Sequence, residues 1–422
     1  MKEKQHIPAG YKSSPLGIIP EDWEVKRLGD LFTFKNGVNA NKESYGKGIK
    51  FVNTMDVLNN TFIDSNVLRG KVNVNDKIKE EFIVSNGDVL FNRTSETREE
   101  VGCSAVYKDS EEAVFGGFII RAHDIKSNVL DLLYKGYCFL PSYIRNQISA
   151  LGNGAIRYNL GQDDLSRVNL LIPPLPEQHR IVSVLSLWDT AISKQAALIE
   201  KLTVRKRGLM QQLLTGKKRL KGFEGEWKEV KLGEIAERIT RKNEEDNQNV
   251  VTISAQRGFV VQTEFFNKSI ASETLDNYFL VYKDEFCYNK SYSNGYPMGV
   301  IERMKTFDKA VVTTLYICFA LKRETIINID FFEQYGDSGI LNKELIKVAN
   351  EGGRAHGLLN VTSSDFFNMH MRIPSIDEQN AIASVLVNAD KEIEIQKQKL
   401  MSLQEQKKGL MQVLLTGKRR MK

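Results

Sequence analysis

The sequence predicts an α+β protein: two small mixed α/β bodies separated by an antiparallel coiled coil of two long helices, arranged as a pseudo-twofold internal repeat. Three observations predict it. "GLMQQLLTGKKR" from Gly208 returns as "GLMQVLLTGKRR" from Gly409, an offset of 201, and residues 177–219 and 378–420 are identical at 21 of 43 positions. "WEVKRLGDLF" from Trp23 returns as "WKEVKLGEIA" from Trp227. Within each long repeat the apolar residues step by threes and fours, the spacing of a helix seam.

The first body spans 1–176 and opens on the Trp23 anchor. β-Rich patches such as "AVFGGFIIRA" from Ala113, and "VVTTLYICFAL" from Val311 in the second body, with Gly and Asn turns between, predict small mixed domains. Pro173, Pro174 and Pro176 end the first body. A long helix then runs over 177–216, stopped by Gly216. Its pairing positions include Ile181, Leu185, Ile192, Ile199 and Leu202. A linker and the second body fill 217–376, and the second helix with a basic tail fills 377–422, pairing through Ile382, Leu386, Ile393, Leu400 and Leu403. Gln195 and Gln396, and Lys206 and Lys407, recur at matching seam positions, where polar residues fix register. At 1.5 Å per residue each helix is about 58 Å long. Because each body leads into the start of one helix and the first helix leads into the second body, the helices must pair antiparallel, with one body at each end. The basic clusters that close the two repeats (Lys217, Lys218 and Arg219; Lys418, Arg419 and Arg420) suit either solvated helix ends or phosphate contacts.

Composition bounds the function. At 422 residues with 41% hydrophobic residues the chain can build real cores, and a net charge of +6 permits a nucleic-acid partner without demanding one. Cys103, Cys138, Cys287 and Cys318 form neither a disulfide framework nor a C-x-x-C pair, and the histidines have no ligand spacing, so no metal site is expected. No signal-peptide core and no apolar run of membrane-spanning length is present, which predicts a cytoplasmic protein with no membrane partner.

Between the anchors the bodies share a pattern but little sequence. "GDVLFNRTS" from Gly87 and "KDEFCYNKS" from Lys283 align Asp88 with Asp284, Asn92 with Asn289, Arg93 with Lys290 and Gly102 with Gly299. A common frame with divergent loops suits a device that reads two different things. Arg and Lys suit guanine, Asn and Gln suit adenine, and hydroxyls suit bases or phosphates. The candidate DNA contacts are therefore Asn92, Arg93, Thr94, Ser95 and Arg98 in the first body, and Asn289, Lys290, Ser291, Tyr292 and Ser293 in the second. Arg157 and Arg354, each after a Gly-rich turn, join them.

Motifs of catalysis are missing. "TGKKR" has Gln211 where a P-loop needs its first glycine, no dinucleotide fingerprint follows a strand, and no Asn/Asp-Pro-Pro-aromatic tetrapeptide occurs. No catalytic residue is expected.

These residues resemble a known family, the specificity subunit of type I restriction-modification systems. The resemblance rests on "PEDWEVKRLGDLF" and "EGEWKEVKLGEI" opening the two bodies, on "GDVLFNRTS", and on "PPLPEQHRIVSVLSLWD" and "IPSIDEQNAIASVLVNAD" opening the helices, so it covers nearly the whole chain. It implies that each body is a target recognition domain and that the chain is a noncatalytic subunit reading a split double-stranded DNA target, one half-site per domain. It also implies two methyltransferase subunits and restriction-translocation subunits as partners. S-adenosylmethionine, ATP and Mg2+ are then expected on those partners and no cofactor on this chain, and the Asp189 and Asp390 regions are expected to meet the methyltransferase subunits. Lys290 stands where arginine is commoner. Three alternatives remain: a specificity subunit of a two-component type II enzyme, a stand-alone DNA methyltransferase or nuclease, and a coiled-coil scaffold with no DNA role.

Overall fold

The computed structural model describes residues 7–154, 156–266, 275–293, 295–324, 327–349 and 359–421. The chain divides into two compact units, Met1–Gln195 with Lys399–Lys422, and Ala196–Gln398. The two long helices are Leu175–Leu213 and Ile376–Leu414, 39 residues each, and both contribute residues to both units.

In the first unit the Trp23 anchor leads into the strand Glu24–Arg27, which pairs antiparallel with Asn169–Ile172, the strand just before the first long helix. A single helical turn, Leu28–Leu31, follows. A Cβ on Gly29 would lie 3.0 Å from the Ser166 side chain, so the "LG" of the anchor is set by close approach of the turn Gln162–Ser166. The second unit repeats this layout. Lys228–Lys231 pairs with His370–Ile373, Leu232–Ile235 makes the turn, and a Cβ on Gly233 would lie 3.2 Å from the Phe367 carbonyl oxygen.

The central sheets are also the same. In the first unit β1 (Phe32–Asn36), β2 (Val89–Asn92), β3 (Ser104–Tyr107) and β4 (Ile119–Asp124) lie in the order β1-β4-β2-β3, with Phe62–Ile63 added parallel to β3. In the second, β5 (Ala236–Ile239), β6 (Phe286–Asn289), β7 (Val300–Arg303) and β8 (Ile317–Leu321) lie in the order β5-β8-β6-β7. Phe91 faces Ile120 and Tyr288 faces Ile317, so one offset of 197 carries the register of one sheet onto the other. That offset corrects the sequence alignment. Asp88 accepts the Ser85 amide at 2.7 Å and Glu285 accepts the Tyr282 amide at 2.7 Å, so the partner of Asp88 is Glu285. Asp284 instead takes the place of Gly87, both with positive φ (71° and 93°). A left-handed aspartate is tolerable, and the shared letter at 284 hid the one-residue slip.

Each unit buries a core between its sheet, its short helices and the long-helix segments within it. Phe91, Phe139, Ile181, Leu185 and Leu414 meet in the first unit; Phe286, Phe319, Phe331, Leu213 and Leu386 meet in the second. Full burial of each such side chain is worth about 1.5–3 kcal/mol. Of the expected pairing positions, Ile181, Leu185, Leu202, Ile382, Leu386 and Ile393 are buried, and Ile192, Ile199, Leu400 and Leu403 are half-buried. The helix segments run antiparallel within each unit. Asp189 pairs with Lys407 and Glu177 with Arg420 in the first; Lys206 pairs with Asp390 and Arg219 with Glu378 in the second.

Those pairs change the reading of three sequence features. Arg219 and Arg420 are neither solvated nor free for phosphate: each clamps the buried glutamate that opens the other long helix. Lys206 and Lys407 are seam residues neutralised by Asp390 and Asp189. These aspartates also accept hydrogen bonds from Gln334 (2.7 Å) and the Tyr137 hydroxyl (2.7 Å), so their first role is to fix helix register and dock the adjoining body. The glutamine that follows each glutamate is structural too. Gln178 binds the Asp131 amide (2.8 Å) and the Pro173 carbonyl, while Gln379 binds the Asn328 amide (2.9 Å) and the Pro374 carbonyl. Asp131 and Asn328 are the N-caps of equivalent helices.

Candidate nucleic-acid interface

The first-body candidates converge on the loop that leaves β2. Thr94–Ser95 pairs antiparallel with Tyr158–Asn159, making a short ribbon. The Thr94 hydroxyl donates to Asn159 Oδ1 at 2.8 Å. Arg93 donates from Nη1 to the Gly117 carbonyl at 3.3 Å, Arg98 is exposed with its guanidinium 5.1 Å from the centre of the Tyr158 ring, and Arg157 is exposed and 3.5 Å from Glu96. Two guanidinium groups, those of Arg98 and Arg157, thus gather at one ribbon, a shape that a major groove admits, and that of Arg93 lies at the Gly117 carbonyl. Arg145, which the sequence did not single out, holds the loop from below through the carbonyls of Glu99, Val101 and Gly102 (2.7–2.9 Å). No spacing pattern marks it, because its partners are backbone atoms.

Two asparagines and a serine are corrected. Asn92 is fully buried, donating to the Glu100 carbonyl at 3.1 Å, and Asn289 is 8% exposed, bonded to the Ile253 carbonyl and the Ser291 amide. Ser95 is buried with its hydroxyl donating to Glu100 at 2.6 Å. Each asparagine ends an interior strand, where its amide nitrogen holds a backbone carbonyl and its side chain is buried away from a base. Gly102 (φ 64°) and Gly299 (φ 72°) lie opposite: Gly102 N donates to the Asn92 carbonyl at 2.7 Å, and a Cβ on Gly299 would be 2.2 Å from that of Asn289.

In the second body Lys290 and Ser291 are half-buried, Tyr292 is 64% exposed, and Ser293 bonds Tyr296 through the backbone. Burial, then the charge of Arg238, lowers the Lys290 pKa. Arg354 lies outside the described residues. The second unit also carries a cleft of about 780 Å³ lined by Lys206, Arg257, Glu302, Asp337 and Asp390 among others. Burial, then the charges of Asp337 and Glu333, push Glu302 up to about 8 against the pull of Lys305. Asp337 rises to about 6, chiefly through desolvation within the cleft.

Residues 20–204 match the family model of the Type I restriction modification DNA specificity domain. Along nearly its full length the chain is similar to a sequence described as the MjaX type I restriction enzyme specificity subunit of Methanocaldococcus jannaschii, 27% identical over 98% of this chain and 97% of that one. Residues 20–204 thus match a specificity domain, and nearly the whole chain is similar to type I restriction enzyme specificity subunits. The MjaVIII specificity subunit of the same organism is 23% identical over 96% of this chain and 94% of its own length. In fold, the chain is similar to the type I restriction-modification S subunit from M. genitalium, with a TM-score of 0.51, 18% identity, and coverage of 93% and 96% of the two chains. Among the described residues no helix of the chain is long and apolar enough to cross a membrane, and no cluster of three or more His, Cys, Asp or Glu could hold a metal.

Proposed function

We propose that this noncatalytic specificity chain reads a bipartite double-stranded DNA target, each body taking one half-site, and directs partner subunits to it. One observation carries the reading: the same four-strand frame, in the same register, occurs once in each unit and carries unlike loops at the same strand ends. A frame used twice with different loops suits recognition of two different short sequences. The exposed Arg98 and Arg157 of the first body, and the half-buried Lys290 and exposed Tyr292 of the second, are then contacts to bases or phosphates. The long helices set the unread spacer between half-sites. The partners are two methyltransferase subunits and restriction-translocation subunits, acting in the cytoplasm, with S-adenosylmethionine, ATP and Mg2+ bound there. Mapping methylated adenines in DNA treated with the chain assembled with its methyltransferase subunits tests this. A split motif supports the reading; methylation without a defined motif overturns it.

A further inference from the structure

Single exposed hydrophobic side chains are ordinary, but an exposed large apolar one at the same place in two diverged bodies is not. Phe118 is 58% exposed and Leu315 is 53% exposed. With Phe91 opposite Ile120 and Tyr288 opposite Ile317, the offset of 197 that superposes the sheets places residues 118 and 315 at one position, just before β4 and β8. That position is the mouth of the candidate loop. The Phe118 carbonyl accepts the Arg93 amide at 2.8 Å, and the strand facing β8 runs out through Asn289 into Lys290. An apolar side chain therefore stands beside a cation in the first body, Arg93, and the shared register places Leu315 level with Lys290 in the second.

The cation decides between occupants. A purely apolar protein groove has no use for it, whereas duplex DNA presents phosphates at the rim of the groove and, at A·T pairs, the thymine methyl on its floor. We infer that Phe118 and Leu315 are specificity-determining residues, each making the apolar contact with a thymine methyl in the half-site read by its own body. The inference rests on the bipartite reading above.

The chain assembled with its methyltransferase subunits tests it, with wild type, Phe118→Ser, Leu315→Ser and Lys290→Gln compared by methylated-adenine mapping and by equilibrium binding across a salt series. Each apolar variant relaxes one A·T position in one half-site, lowers discrimination there by about tenfold, and leaves the other half-site and the salt slope unchanged. Lys290→Gln reduces the slope by about one. Uracil in place of that thymine, which removes only the methyl, weakens the wild type equally and the variant no further. An unchanged motif and affinity in both apolar variants overturns the inference, as does loss of copurification with the methyltransferase subunits, which would make these residues a protein contact. A wild-type complex with no split motif instead removes the bipartite reading, and this inference falls with it.

Discussion

Glu177 gathers three donors: Arg420 from two nitrogens at 2.8 Å, the Trp23 indole at 2.9 Å and the Met421 amide at 3.1 Å. Burial works against its charge, but the bonds from Arg420 and Trp23 outweigh it and hold the pKa below the ordinary 4.5. A carboxylate depressed in the fold lends stability above that value and loses it as pH falls. Arg420→Met strands the charge and costs about 3 kcal/mol in chemical denaturation at pH 7. The second unit is not a perfect copy. Glu378 binds Arg219, but among the described residues the buried Trp227 indole has no hydrogen-bond partner. Trp23→Phe is therefore more destabilising than Trp227→Phe by about 1–2 kcal/mol, the worth of a bond to a charged group; equal costs would contradict the difference. Glu302 behaves oppositely to Glu177. Its pKa is raised from 4.5 to about 8, so the folded state holds a proton that the unfolded state has lost, and stability falls as pH rises between those values. Glu302→Gln raises stability at pH 8.5 by about 1–2 kcal/mol, after allowance for water in the cleft, and leaves it unchanged at pH 4. The repeated Glu, Lys and Arg were visible as letters, but their roles were not, because each partner lies on the other repeat.

At the scale of elements, periodicity was the most readable signal. Threes and fours place the long helices and the turns around Pro173 and Gly216, since side chains on one face must share one environment. Register was less readable. Four identical seam letters give the same pattern whether lysine faces lysine or aspartate, and the structure resolves it as Lys407 on Asp189 and Lys206 on Asp390. A double-mutant cycle between Asp189 and Lys407 should give a coupling of about 1 kcal/mol, and one between Asp189 and Lys206 none. Equal couplings would mean another register. The loop asparagines failed for a related reason. Asn92 and Asn289 have a composition suited to adenine, yet their strand-end position buries the amide, and position at a strand end is a property of pairing that a single sequence does not display. The candidates that remain at the surface are those a residue or more beyond the strand ends, Arg98, Arg157 and Tyr292, where no ladder claims the side chain.

At the scale of the whole chain, the repeat read from 21 matched positions in the helices extends further than sequence identity could follow it. The bodies keep strand order and register while their loops have drifted, because sheet pairing constrains backbone geometry and burial but tolerates many apolar choices. The central claim is that two unlike readers share one chain and that helix length sets the gap between their targets. Four residues inserted into each long helix add about 6 Å to each. Methylated adenines mapped by single-molecule sequencing, with wild-type and lengthened chains each assembled with the methyltransferase subunits, should then report the same two half-sites with a spacer longer by about two base pairs. An unchanged spacer, or altered half-sites, would contradict the account.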